Sequence, residues 1–159
     1  SPNRPKSRGS VEIKSKNYFE NPKIQFNYLE DEEDLQQMRD SVKIANNIFK
    51  QDSMKKYLGE QLRPGYNCNT NEQLDAIIRE TADTAYHPSC TNKMGVDKMS
   101  VVDQETKVYG ISNLRVIDSS IMPDILSGNL NAGTIMIAEK AADMILGKEE
   151  SLIDVNFYN

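Results

Sequence analysis

The sequence holds no tryptophan, one histidine and two cysteines. Cys68 and Cys90 stand without the partner pattern of a disulfide framework or a zinc site, so both are expected to be free thiols in a reducing compartment. Long apolar runs are missing as well. The longest, around Thr134 to Ile137, is stopped by Glu139 and Lys140, far short of the roughly 20 residues a membrane-spanning helix needs. Concentrated positive charge is also absent. The formal net charge is −5 and the basic group Arg4, Lys6, Arg8 is short, which excludes nucleic acid as the main partner. No secretory leader opens the chain, and Ser1-Pro2 reads as mid-sequence. The expectation is a piece of a longer, cytoplasmic protein, with membrane association possible only for the complete molecule.

What is present is an ordinary globular composition, 38% hydrophobic and 27% charged over 159 residues, enough for a real core. Residues 10–15 and 24–28 alternate apolar and polar as strands do, and the polar loop between them points to an antiparallel pair. From Asp31 the period changes. Leu35, Met38, Val42, Ala45 and Phe49 mark one face of a helix whose start is rich in acids, as the helix dipole favours. A short helix holding Met54 and Leu58 follows, then a break at Arg63-Pro64-Gly65. A third helix starts near Asn71 as cap, with Leu74, Ile77 and Ile78 inward. Short strands are expected at 101–102, 107–109 and 114–117, an irregular loop over 123–133, and a last helix from about Thr134 to Leu146. Its inner face is read as Ile135, Ala138, Ala142 and Ile145, and Gly147 is its stop. The tail after Lys148 has no clear assignment.

Three stretches carry chemistry. His87, in Tyr86-His87-Pro88-Ser89-Cys90, carries an imidazole, a group that can take or give a proton in catalysis; taken alone it reads more readily as a hydrogen-bonded structural histidine. Leu126 to Thr134, with Gly128, Asn129, Asn131 and Gly133, runs into the last helix. A helix start offers free N–H groups and partial positive charge to an anion, and glycines admit a flat ligand. The bland alternative is a capped loop. Asn113 to Ser120 reads as a strand ending in Asp118 and two hydroxyls, which fits either a ligand-binding strand end or a common turn.

Together these stretches say more than each alone. YHPSC and KMG, then VVD, VYGISNLRVIDSSIMP and SGNLNAGTIMIAEKAADMI resemble the glucose–methanol–choline (GMC) oxidoreductase family in order, spacing and wording. The opening RPKSRGSVEIKS also resembles the start of that family's second substrate-domain segment. The resemblance runs from about Arg4 to Gly147 and is nearest to the choline- and alcohol-dehydrogenase branch. Two positions depart from it: Gly133 stands where proline is usual, and Asn92 where that branch often has cysteine.

The resemblance implies an α+β fold. Residues 1–104 would supply part of an antiparallel substrate-domain sheet with flanking helices. Residues 105–147 would return as the last strand and helix of an FAD-binding α/β domain, and 148–159 would form a tail. It implies FAD as cofactor, an alcohol as substrate, and hydride passing from the alcohol carbon to the flavin N5, with oxygen and quinone both open as acceptors. His87 and Asn129 fall on the active-site pair. Asp118, Ser119, Asn131, Ala132, Gly133 and Thr134 fall on cofactor-contacting positions. The Gly-rich turn that cradles the FAD pyrophosphate in this family has no counterpart here. The chain is therefore expected to need a missing N-terminal FAD-binding half, or to self-associate through apolar surface. The alternative is a non-catalytic structural or interaction module of the same ancestry that works without FAD.

Overall fold

The computed structural model describes residues 3–62, 68 and 70–148, which form two compact units, one ending at Tyr86 and the other starting at His87. The expected break at Arg63-Pro64-Gly65 and the tail from 149 onward lie outside the described residues.

In the first unit, β1 (Ser10–Glu12) pairs antiparallel with β2 (Lys23–Gln25), Val11 facing Ile24. Both strands are exposed along their length. Gly9 is what lets the chain enter this pair: a Cβ there would lie 2.2 Å from the carbonyl oxygen of Gln25, closer than any side chain can sit. The helix α1 (Glu32–Phe49) starts at Asp31, whose side chain accepts from the Glu33 N–H at 2.9 Å. Glu32, Glu33 and Asp34 fill its first turn, where the exposed N–H dipoles favour negative charge. After the single turn α2 (Asp52–Lys55), which holds Met54 but not Leu58, comes α3 (Asn71–Thr81). Its cap is Thr70, not Asn71. The Thr70 hydroxyl accepts from the Gln73 N–H while the Gln73 side chain returns to the Thr70 N–H, a reciprocal box that satisfies two donors at once.

The core of this unit is Leu35, Leu74 and Ile78, with Leu29, Met38, Val42 and Cys68 packed around it. Burial of these side chains supplies the main stabilisation, on the order of 1.5–3 kcal/mol for each one fully buried. Two polar clasps fix the geometry. Asp34, buried in the first turn of α1, accepts from the Lys6 N–H, the Ser7 N–H and the Ser7 hydroxyl at 2.7, 2.8 and 2.5 Å. Arg39 holds Asp75 across the α1–α3 interface and also bonds Glu32 and Gln36.

The second unit begins with a loop and carries almost no regular sheet. The strands expected at 101–102, 107–109 and 114–117 are single bridges instead: Met94 with Val102, Val102 with Val108, and Lys107 with Arg115. A tight turn explains why. Asp103 Oδ1 accepts from the N–H groups of Glu105 and Lys107, and Thr106 sits buried in a left-handed conformation, so the chain reverses before a ladder can grow. A 3-10 turn, Ser119–Ile121, precedes α4 (Leu130–Leu146). The core here is Val102, Ile121, Met122, Leu130 and Ala141.

Two expectations about the last helix are corrected. It begins at Leu130, four residues earlier than Thr134, so Asn131, Ala132 and Gly133 are helical and not part of a loop. Its buried side carries Leu130 and Ala141; the stripe Ile135, Ala138, Ala142, Ile145 is the exposed one, with Ile135 53% and Ile145 55% accessible. Periodicity found a stripe but not which way it faces. Gly147, in the left-handed conformation, ends the helix as expected. Among the described residues no helix is long and apolar enough to cross a membrane.

Candidate active site

His87 opens the second unit, and its side chain is exposed with no hydrogen bond to a described residue. The backbone around it is far from relaxed. Tyr86 and Cys90 take φ values of 58° and 69°, left-handed conformations that cost a non-glycine residue about 1–2 kcal/mol each. Such strain persists where surrounding contacts over-determine it, and it gathers at functional sites.

The contacts are present. From Cys90 onward the loop lies along the 3-10 turn. The N–H groups of Cys90, Asn92 and Met94 donate to the carbonyls of Ser119, Ser120 and Ile121 at 3.3, 3.0 and 2.8 Å. Side chains add to this ladder: Ser119 Oγ donates to the Pro88 carbonyl at 3.2 Å, and Asn92 Nδ2 to Ser120 Oγ at 3.0 Å. The loop then closes on itself. Lys93 bonds Asp97 at 2.7 Å, holding the Asp97 carboxyl below its ordinary pKa with help from the Met99 N–H, and Tyr109 donates its hydroxyl to the Gly95 carbonyl.

Asp118 caps the 3-10 turn, its carboxylate accepting from the Ser120 N–H at 2.7 Å. The turn packs against α4. Near the start of that helix, Gly133 permits close contact, since a Cβ there would meet Leu126 Cδ1 at 2.7 Å and Met122 Cε at 3.3 Å. Asn129 is the N-cap of α4 yet gives it no side-chain hydrogen bond, and Asn129, Asn131 and Ala132 are exposed. Thr134 Oγ1 donates back to the Leu130 carbonyl. A Cβ on Gly128 would meet nothing within 4 Å, so the space beside that residue is open.

The second unit therefore joins the His87 loop, Asp118, Ser119 and the start of α4 through continuous contacts. It does not join His87 to Asn129 by a hydrogen bond among the described residues. The Ser120–Asn92 link and the two left-handed residues beside His87 carry no sequence signal, because periodicity does not report contacts between loops. The donors at the start of α4, the amide of Asn129 and the free Asp118 oxygen suit a planar group with a carbonyl edge and hydroxyls.

The family model that matches residues 5–138 is that of GMC oxidoreductase. The chain belongs to the GMC oxidoreductase family. It is 53% identical over 143 residues to the oxygen-dependent choline dehydrogenase of Citrobacter koseri, covering 90% of this chain and 26% of that one. Among solved structures it resembles pyridoxine 4-oxidase from Mesorbium loti, with a TM-score of 0.84 and 30% identity over 93% of this chain and 29% of the other. It also resembles an FAD-dependent oxidoreductase from Chaetomium thermophilum, with a TM-score of 0.82 and 35% identity over 91% and 25%. The chain thus spans about a quarter of the length of these relatives. Its described residues are of α+β class, with a small antiparallel pair and helices.

Proposed function

We propose that the chain is the C-terminal catalytic part of an FAD-dependent alcohol dehydrogenase that accepts choline or a similar primary alcohol. In that enzyme residues 1–104 extend the substrate domain, residues 105–147 return into the FAD-binding domain, and 148–159 are a tail. The observation that carries the reading is the ladder between the His87 loop and the Ser119–Ile121 turn. It ties the segment that follows the one histidine to residues that the family likeness gives to the cofactor.

FAD, when bound, supplies the hydride acceptor. The chain's own residues handle the proton and the charge. His87 takes the alcohol proton as the carbon is oxidised, help typically worth about 10²–10⁴-fold in rate. The Asn129 amide holds the substrate oxygen. The N–H groups at the start of α4, around Asn131, Ala132, Gly133 and Thr134, would hold the flavin and stabilise negative charge on it, and Asp118 and the backbone of Ser119 would also contact the cofactor. The rest of the enzyme covers the exposed stripe of α4 and provides the pyrophosphate cradle.

The test is steady-state oxidation by the complete flavin-loaded enzyme across choline, its uncharged isostere 3,3-dimethylbutanol and an aromatic alcohol. Preference for choline, expressed in kcat/KM, supports the reading. Equal or greater use of the aromatic alcohol contradicts the substrate class.

A further inference from the structure

The ladder that holds the His87 loop has an uneven distribution. Every backbone rung lies at or beyond Cys90. Residues 87–89, which include the histidine, have one hydrogen bond to another segment among the described residues: the Ser119 hydroxyl, donating to the Pro88 carbonyl at 3.2 Å. Ser89 is bonded only locally, by the Cys90 thiol.

The consequence is mechanical. Pro88 has a fixed φ and no N–H of its own, so its carbonyl is the only backbone group of that residue that can be anchored. Fixing it fixes the peptide plane following Pro88, while the rung from the Cys90 N–H to the Ser119 carbonyl, at 3.3 Å, fixes the plane after Ser89. Ser119 thus grips the loop twice, once through its side chain and once through its carbonyl. The left-handed φ of Cys90 needs such restraint, because a free loop would relax from it. The one proton of the Ser119 hydroxyl is used in this bond, so toward a cofactor that oxygen is left only as an acceptor.

We infer that Ser119 is a positioning residue whose hydroxyl, acting through the Pro88 carbonyl, sets where the His87 imidazole stands relative to the substrate. This rests on the proposed role of His87. Reaction geometry is steep in distance, and displacements near 1 Å cost up to about 100-fold; loss of one neutral hydrogen bond allows a smaller drift. The expected signature is a fall in kcat at unchanged cofactor and substrate binding.

The experiment compares Ser119→Ala, Ser119→Thr and His87→Ala in the complete FAD-loaded enzyme. Flavin occupancy, kcat, KM and the pH profile of kcat/KM are measured for each. Ser119→Ala is expected to keep its flavin and its KM within about twofold while kcat falls about five- to tenfold. The limb of the pH profile that vanishes in His87→Ala is displaced in Ser119→Ala, and Ser119→Thr, which keeps the hydroxyl, restores kcat. An unchanged kcat in Ser119→Ala beside a crippled His87→Ala overturns the positioning role and leaves the role of His87 standing. Loss of flavin with normal turnover per bound flavin also overturns it, since the hydroxyl would then serve the cofactor. Near-normal turnover in His87→Ala overturns both.

Discussion

The guanidinium of Arg39 grips the carboxylate of Asp75 with two parallel hydrogen bonds, Nε to Oδ1 at 2.5 Å and Nη2 to Oδ2 at 2.6 Å. This fork joins α1 to α3 beside the Leu35–Leu74–Ile78 core. The hydrogen bond to Arg39 holds the Asp75 carboxyl below the usual aspartate range, and the same contact, with that to Glu32, raises Arg39 further above its own. A carboxylate whose folded pKa is depressed contributes stability that is fully present above its unfolded pKa and is lost as pH falls through the folded value. Asp75→Asn is therefore expected to melt below the wild type at neutral pH, with the gap narrowing below about pH 4. Thermal melts across that range check it, and a gap independent of pH would show that charge plays no part.

Asp34 makes a second, buried clasp in the first turn of α1. Burial works against its charge, but three hydrogen bonds from Lys6 and Ser7 outweigh it and keep the carboxyl below its ordinary value. Asp34→Ala removes the acceptor and strands those donors. The expected cost is about 2–3 kcal/mol, read as a lower urea midpoint. The loss should release residues 6–7 and raise their amide exchange while leaving α3 protected.

The exposed stripe of α4 yields a third expectation. Ile135 and Ile145 are more than half accessible in this chain, so aspartate at both positions should leave its own melting temperature nearly unchanged. The same pair should weaken association with the remainder of the enzyme about tenfold or more for each residue, measured by co-purification or titration. A large drop in the chain's own stability would mean that the stripe packs within the chain.

How much of this was legible in the sequence depends on whether the signal is local. The Gly147 stop and most of the α1 face are written in a left-handed glycine and three- and four-residue steps and have their counterparts in the structure, although Phe49 at the end of α1 is exposed. Alternation located the antiparallel pair, but its strands are shorter than 10–15 and 24–28 and are exposed. Thr70 was missed as a cap because Asn71 is an equally good capping residue; only the reciprocal bond with Gln73 separates them. The short strands failed because Val102 and Val108 are buried or half-buried by loop contacts rather than by a sheet. Orientation of α4 was missed because its Ile135 stripe is apolar enough to be an inner face, and sequence alone does not say which partner covers it. Within the candidate site, the sequence names candidate residues but not how they meet. The contacts that organise them, Ser119 with Pro88 and Ser120 with Asn92, join positions about 30 apart and leave no local trace.

The central claim is that His87 takes the proton of the alcohol. Its most direct test is turnover of the complete enzyme carrying His87→Ala, at saturating substrate and normalised to bound flavin. The expected result is a fall of about 10²–10⁴-fold in kcat with flavin content close to wild type. Turnover within a few fold of wild type at full flavin content would contradict it.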